Sequence, residues 1–490
     1  MLIKDFNVEL LSVNNPDTCK NKYHGFYRYD KFSRSTSGKK GQKLLLSLSK
    51  NSCSIVNRAN PTHKERIGGY RFLNNKRVTD INLVESLQEQ CQRNCVGLHV
   101  IALQDTSEYN YAQNSNRLKK ETLGVVGNNK DFGYLAHIMV PFDAVTCLPQ
   151  GISYCKLWSR DPYRKKDRDK VYPLLPIEEK ESFRWIEAAE KTKSLLTSAK
   201  HITLISDRES DIYQLWERVP DDKTDLIIRA RGDRPLFDQP LSIIELLDKQ
   251  TTAGSYTIDI KGDLRSKRSK RKAIVNVKYA EVLVKKSKNL PREQARGDYV
   301  SLIAVEAKED SSSCKAGEEP IHWLLLTTHS VNDFEQACRI IDWYSFRWQI
   351  EQFFRLTKRQ GLDLESSQLE TGEGLKKLGI LGFVVALKIL QMTLSRDGTV
   401  NDKINKFFNK QEIVLLAILN DKLKGTTVKQ QNPFHRNTLA WGAWVIARLG
   451  GYSGYSSQSP PGPLTYKWGL HKFNMIKEGY YILEDDVYKE

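Results

Sequence analysis

The stretch "DWYSFRWQIEQFFRLTKRQG", Asp342 to Gly361, joins a row of aromatics to a row of polar groups at helical spacing. At about 100° per residue, Tyr344, Arg347, Glu351 and Lys358 fall within roughly 60° of one another on one helix. Trp343, Phe346, Ile350, Phe353 and Phe354 fill the sector beside them. That face is expected to be buried, which leaves Glu351 where the core meets an open cleft. A solvated edge with incidental ion pairs gives the same pattern, so the rest of the chain has to decide.

With 490 residues the chain can hold two or three domains, each with its own core. A formal charge of +17 and a pI near 9.3 call for a polyanionic partner, nucleic acid before an anionic membrane. The most apolar run, "LGILGFVVALKILQMTL", is broken by Lys388 and Gln391 and reads as a buried helix, so no membrane partner is expected. "MLIKDFNVELLSVNN" shows no secretion signal, which points to the cytoplasm. Cys91 and Cys95 are the one close pair among eight scattered cysteines, and no second pair completes a zinc site of thiolates.

Residues 1–75 are basic, with little apolar periodicity, and read as a peripheral DNA-binding region. From Cys95 short β-like runs alternate with helical segments: "VGLHVIALQ", "YLAHIMVPF", "EEKESFRWIEAAEKTKSLLTSA" and "HITLIS". This is an α/β core over residues 76–375. Strand signals crowd residues 226–330, from "DLIIRAR" to "IHWLLLTT", and suggest an antiparallel β-rich insertion. Residues 376–490 read as helical.

Two strand patterns end in an aspartate: "GLHVIALQD" at Asp105 and "HITLISD" at Asp207. Either can be a turn former or a helix N-cap, and "SDRESDIYQLW" resembles a capped helix start. Together with a helical glutamate they can instead converge as oxygen ligands for magnesium or manganese. Two hard cations about 4 Å apart suit phosphodiester chemistry, in which one ion activates the attacking oxygen and the other stabilises the leaving one. No P-loop is present, and "LGVVGNN" lacks the glycine spacing of a nucleotide-binding turn, so no nucleotide cofactor is expected. Paired carboxylates also serve glycoside hydrolysis, but strong basicity fits a sugar substrate poorly.

The order Tyr344, two residues, Arg347, three residues, Glu351, six residues, Lys358 resembles the YREK signature of DDE transposases in the insertion-sequence-four family. The likeness is greatest to its cut-and-paste enzymes, typified by that of transposon five. "LQDTSEYNY", "DRESDIY", "EKESFRW", "HWLLLTT" and "LAWGAWVIARLGGYSG" extend it across residues 65–470.

That resemblance implies an RNase H-like core in which Asp105, Asp207 and Glu351 form a catalytic triad holding two Mg²⁺ ions, with Mn²⁺ as a substitute. It implies cleavage of double-stranded transposon-end DNA through a hairpin, and joining of the freed 3′ ends to target DNA by a homodimer in a paired-end complex. Tyr344, Arg347 and Lys358 would hold phosphate, Trp323 would stack an extruded base, and Arg229 and Arg231 would touch end DNA. Trp348 either faces DNA or packs. "DLRSKRSKRK" is either solvated charge or a phosphate contact. The apolar helix of "NTLAWGAWVIARLGGYSGY" is expected to be covered by its own domain or by a partner subunit, and the resemblance favours the partner. A nuclease that cuts without joining, and an end-binding derivative without chemistry, remain the rival readings.

Overall fold

The computed structural model describes residues 36–487, apart from 52, 61, 164–171, 173–174, 261–268, 289, 316, 360, 400–401 and 456–457. Most of the expected N-terminal DNA-binding region, and most of "DLRSKRSKRK", thus lie outside the described residues. Helices α1 (Thr36–Asn51), α2 (His63–Leu73) and α3 (Asp80–Asn94) precede strands β1 (His99–Asn110), β2 (Gly133–Asp143) and β3 (Tyr154–Trp158). Then come α4 (Phe183–Leu195), β4 (His201–Ser206), α5 (Tyr213–Arg218), β5 (Thr224–Arg229), β6 (Gly254–Ile260), β7 (Arg271–Lys285), β8 (Tyr299–Glu309) and β9 (His322–Thr327). The rest is helical: α6 (Phe334–Phe346), α7 (Trp348–Thr357), α8 (Gly372–Leu394), α9 (Lys410–Leu423), α10 (Leu439–Leu449) and α11 (Pro463–Val487). The described residues fall into two compact units, 99–105 with 167–349, and 36–98 with 106–166 and 350–487.

The first unit is mixed α/β. Its strands follow the order β1-β4-β5-β9-β8-β7-β6. β1, β4 and β5 run parallel, and each later neighbour is antiparallel. The apolar run "HITLIS" is buried from Ile202 to Ser206, as a central parallel strand requires. β7 alternates instead: Ala273, Val275 and Val277 are buried while Lys272 and Ile274 are exposed, so one face of this part of the sheet is covered. The β-rich stretch is an extension of the parallel strands in one continuous sheet, joined where β9 pairs with β5. Thr224–Arg229, which the sequence suggested as the start of the antiparallel stretch, pairs in parallel with β4. Arg271, the last arginine of the basic run, is turned inward in a bidentate pair with Glu309, with both N···O distances 2.8 Å.

In the second unit α8 is the centre. Its most apolar window has a mean hydropathy of 1.7, which would suit a membrane span, but 89% of that window is buried against the unit's other helices. It therefore behaves as the core helix read from the sequence. α10 corrects an expectation: every residue from Leu439 to Ala447, Trp441 and Trp444 included, is buried by α9, α11 and neighbours of the same unit, so this helix offers no apolar face to a partner. The crossing with α11 needs glycine on both sides. A Cβ at Gly469 would lie 1.9 Å from the Ile446 carbonyl oxygen, and one at Gly450 would lie 2.0 Å from that of Thr465.

Burial pushes the Lys388 ammonium on α8 down to about 8; Glu412 pulls it back up and Lys477 adds to the fall. Because the unfolded lysine titrates near 10.5, the unfolded chain binds the extra proton between those values, and the native state gains stability as pH rises through that window. The stability of wild type relative to Lys388→Met should therefore climb by about 2–3 kcal/mol between pH 8 and 10.5. Urea unfolding of both proteins across that range measures it, and a flat difference contradicts the burial of the charge.

Candidate active site

The parallel pairing of β1 with β4 sets the site. Its last rung is Leu103↔Ile205. Two positions beyond it stand Asp105 and Asp207, at equal offset on the two chains; the expectation that each ends a strand holds for Asp207, since β4 stops at Ser206, but not for Asp105, because β1 runs on to Asn110. After Ser206 the chain turns. Asp207 is extended, with φ −82° and ψ −177°, and its Oδ1 accepts a 2.8 Å hydrogen bond from the Glu209 amide, capping the short turn Arg208–Ser210. The N-cap role that the sequence offered for Asp207 is thus present.

Arg347 faces the first of these carboxylates, its Nη1 being 3.4 Å from Asp105 Oδ2, with both side chains largely buried. The single helix expected over Asp342–Gly361 is broken at this arginine. α6 ends at Phe346, α7 starts at Trp348, and the Arg347 amide donates back to Tyr344 and Ser345 in a tightened last turn. Tyr344 is correspondingly buried and sits edge-on to Trp323, with ring centroids 5.3 Å apart. Burial pushes the Tyr344 hydroxyl up, Arg347 and Arg229 pull it back, and Asp207 pushes it up again. Asp105, Asp207, Arg229, Trp323, Tyr344 and Arg347 therefore gather in the first unit.

The remaining residues fall elsewhere. Glu351 stands half-buried in the first turn of α7 and Lys358 just beyond the end of that helix, both within the second unit. Lys358 Nζ lies 5.6 Å from the centre of the buried Tyr109 ring, in the geometry of a cation–π contact. Trp348 is 51% exposed. Arg229 ends β5 and donates from Nη2 to the His322 carbonyl at 3.1 Å. Arg231 lies past the strand end, not alternating out of it, and its amide donates to Asp211.

Asp211 is the residue that sequence reasoning missed. Its carboxylate is fully buried and receives Arg234 Nη2 at 2.7 Å, the Trp216 indole N–H at 3.2 Å and the Arg231 amide at 3.0 Å. These bonds fix the turn that begins at Asp207. Only its place in "DRESDIY", four residues after Asp207, hinted at the role, because Arg234 is too far along the chain for local pattern to pair them.

Residues 180–387 match the transposase DDE domain family. The DDE domain so matched takes in Asp207, Trp323, Tyr344, Arg347, Glu351 and Lys358, and begins after Asp105. Among solved structures, the chain is similar to the piggyBac transposase synaptic complex with hairpin DNA at 10% identity and a TM-score of 0.38, covering 81% of this chain and 74% of that one.

Replacing Asp211 by alanine takes the carboxylate from the Arg234 guanidinium, the Trp216 indole and the Arg231 amide, while the bond from Arg234 Nη2 to the residue-211 carbonyl can persist. The loss should be about 1–3 kcal/mol, measured by urea unfolding of the full chain. A loss below about 1 kcal/mol would show that the turn after Asp207 is held by something else.

Proposed function

We propose that the chain is a cut-and-paste DNA transposase of the insertion-sequence-four kind, built on an RNase H-like core, with Asp105, Asp207 and Glu351 as its DDE triad. The observation that supports this reading is that Asp105 and Asp207 stand at equal offset past the Leu103–Ile205 rung of two neighbouring parallel strands, with the Arg347 cation already beside Asp105. A cation site made of carboxylate oxygens suits Mg²⁺, with Mn²⁺ as substitute. When bound, two such ions would activate the attacking oxygen and stabilise the leaving oxygen of a phosphodiester exchange.

The chain's own groups supply the rest. Arg347 and Lys358 hold a DNA phosphate, the guanidinium through its planar fork and the ammonium as a point charge. Arg229 and Arg231 add phosphate contacts near the turn after β5, and exposed Trp348 faces the DNA. Trp323, braced edge-on by Tyr344, offers a ring face to a base extruded when the end closes into a hairpin. Water cuts one strand at the transposon end. The freed 3′ hydroxyl then attacks the opposite strand to give the hairpin, a second water reopens it, and the same hydroxyl joins target DNA. Each transesterification breaks one phosphodiester for each it makes, so no nucleotide fuel enters. The basic first 75 residues bind the ends, and two copies of the chain pair them.

Two experiments check this reading. Asp105→Asn, Asp207→Asn and Glu351→Gln should each abolish cleavage of inverted-repeat DNA in Mg²⁺ while gel shifts show end binding largely kept, because affinity resides in the basic contacts. Near-normal cleavage by any one of them removes that residue from the triad. Trp323→Ala should reduce hairpin yield by the equivalent of about 1–3 kcal/mol while the first nick continues. Equal loss at both steps would make Trp323 an ordinary packing residue.

A further inference from the structure

The opposite ends of the same strands carry a different chemistry. His99 opens β1 and pairs with His201, which opens β4. Both precede the carboxylates by six residues of strand, about 20 Å. Asp225, the second residue of β5, pairs with Thr203, and His329 follows β9 by two residues. All belong to the first unit.

Asp225 Oδ2 is shared. It lies 2.9 Å from His201 Nε2 and 3.2 Å from His329 Nδ1. One ligand atom from each of the three residues lies within 4.8 Å of the others, and all three residues are half-buried. The second carboxylate oxygen, Oδ1, is held by the Thr328 hydroxyl at 2.7 Å. The far nitrogen of His329, Nε2, is 3.0 Å from the Thr203 hydroxyl, which also meets His99 Nε2 at 2.9 Å. Trp343 walls the cluster, its ring 5.2 Å from that of His329 and 5.3 Å from that of His99.

We infer that His201 Nε2, His329 Nδ1 and Asp225 Oδ2 form a second metal site, for a zinc-class transition-metal ion, separate from Asp105 and Asp207. Two imidazoles and one carboxylate are the donor set of such ions, whereas Mg²⁺ takes oxygen. In a tetrahedral site with bonds near 2.0–2.1 Å, ligand atoms stand about 3.3 Å apart. The separations of 2.9 and 3.2 Å around Asp225 Oδ2 therefore need only a few tenths of an ångström of expansion. The outer groups are in place as well. A neutral His329 that binds metal through Nδ1 carries its proton on Nε2, within hydrogen-bonding distance of the Thr203 hydroxyl oxygen that would accept it, and Thr328 orients the carboxylate. An ion there clips β4, β5 and the segment after β9 together at the seam where the sheet changes from parallel to antiparallel. This inference does not depend on the chain being a transposase.

The test is Co²⁺ added alone to the metal-stripped full chain. The wild type should take up one ion with the strong visible bands of a four- or five-coordinate, nitrogen-containing site, and should gain thermal stability with it. His201→Gln and His329→Gln should lose the bands, Thr328→Val should bind about tenfold more weakly, and Asp105→Asn and Asp207→Asn should keep the bands. The wild-type spectrum is decisive even where a histidine variant folds poorly. The inference is overturned by only weak, octahedral all-oxygen absorption, by bands that survive both histidine substitutions, or by bands lost with Asp105 or Asp207.

Discussion

The site depends on one pairing, β1 beside β4 in parallel with Leu103 opposite Ile205. Parallel strands hold residues of equal offset at equal height, and Asp105 and Asp207 stand two positions past that rung, within β1 and just beyond β4. A slip by a single residue would turn one carboxylate to the other face of the sheet. The buried run Ile202–Ser206 is what fixes the register, because a slip would also carry its apolar side chains out of the core. Ordinary burial energy in the middle of the sheet thereby becomes positional accuracy at its edge.

Around that pair the protein places cations and rings on separate elements. Arg347 arrives from the junction of α6 and α7, Arg229 from the end of β5, Trp323 from β9 and Tyr344 from the last turn of α6. The helix break at Arg347 is part of this arrangement. It ends the aromatic packing of α6 with Tyr344 inside and starts α7 with Trp348 outside. The turn after Asp207 is held from below by Asp211 and Arg234, a buried ion pair whose hydrogen-bonding capacity is met by an indole and a backbone amide.

Much of this was legible in the sequence because it is local. The apolar run before Asp207 marks the end of β4, and the all-round apolar pattern of Gly372–Leu394 marks a core helix, whereas the run before Asp105 ends in mid-strand, since β1 goes on to Asn110. The α/β core with its strand-rich stretch followed from the same periodicities. What escaped depends on distant partners. Nothing local separates a β5 that pairs in parallel with β4 from one that opens an antiparallel stretch. The break at Arg347 has no proline or glycine to announce it, so a continuous stripe from Tyr344 to Lys358 was the natural expectation. Asp211 finds Arg234, and Asp225 finds His201 and His329, only once the sheet is assembled. The apolar face of Leu439–Leu449 looked like an interface for want of knowing that α9 and α11 cover it.

The central claim is that Asp105 and Asp207 act as one cation site. A double-mutant cycle on Mn²⁺ affinity tests it most directly, using Asp105→Asn, Asp207→Asn and the double variant, with bound ion followed by electron paramagnetic resonance. Shared coordination predicts that either single substitution loses about as much affinity as both together, a coupling well above the few tenths of a kcal/mol, about 0.5 at most, seen for independent sites. Losses that simply add, or Mn²⁺ binding untouched by either change, would mean that the two carboxylates do not share an ion.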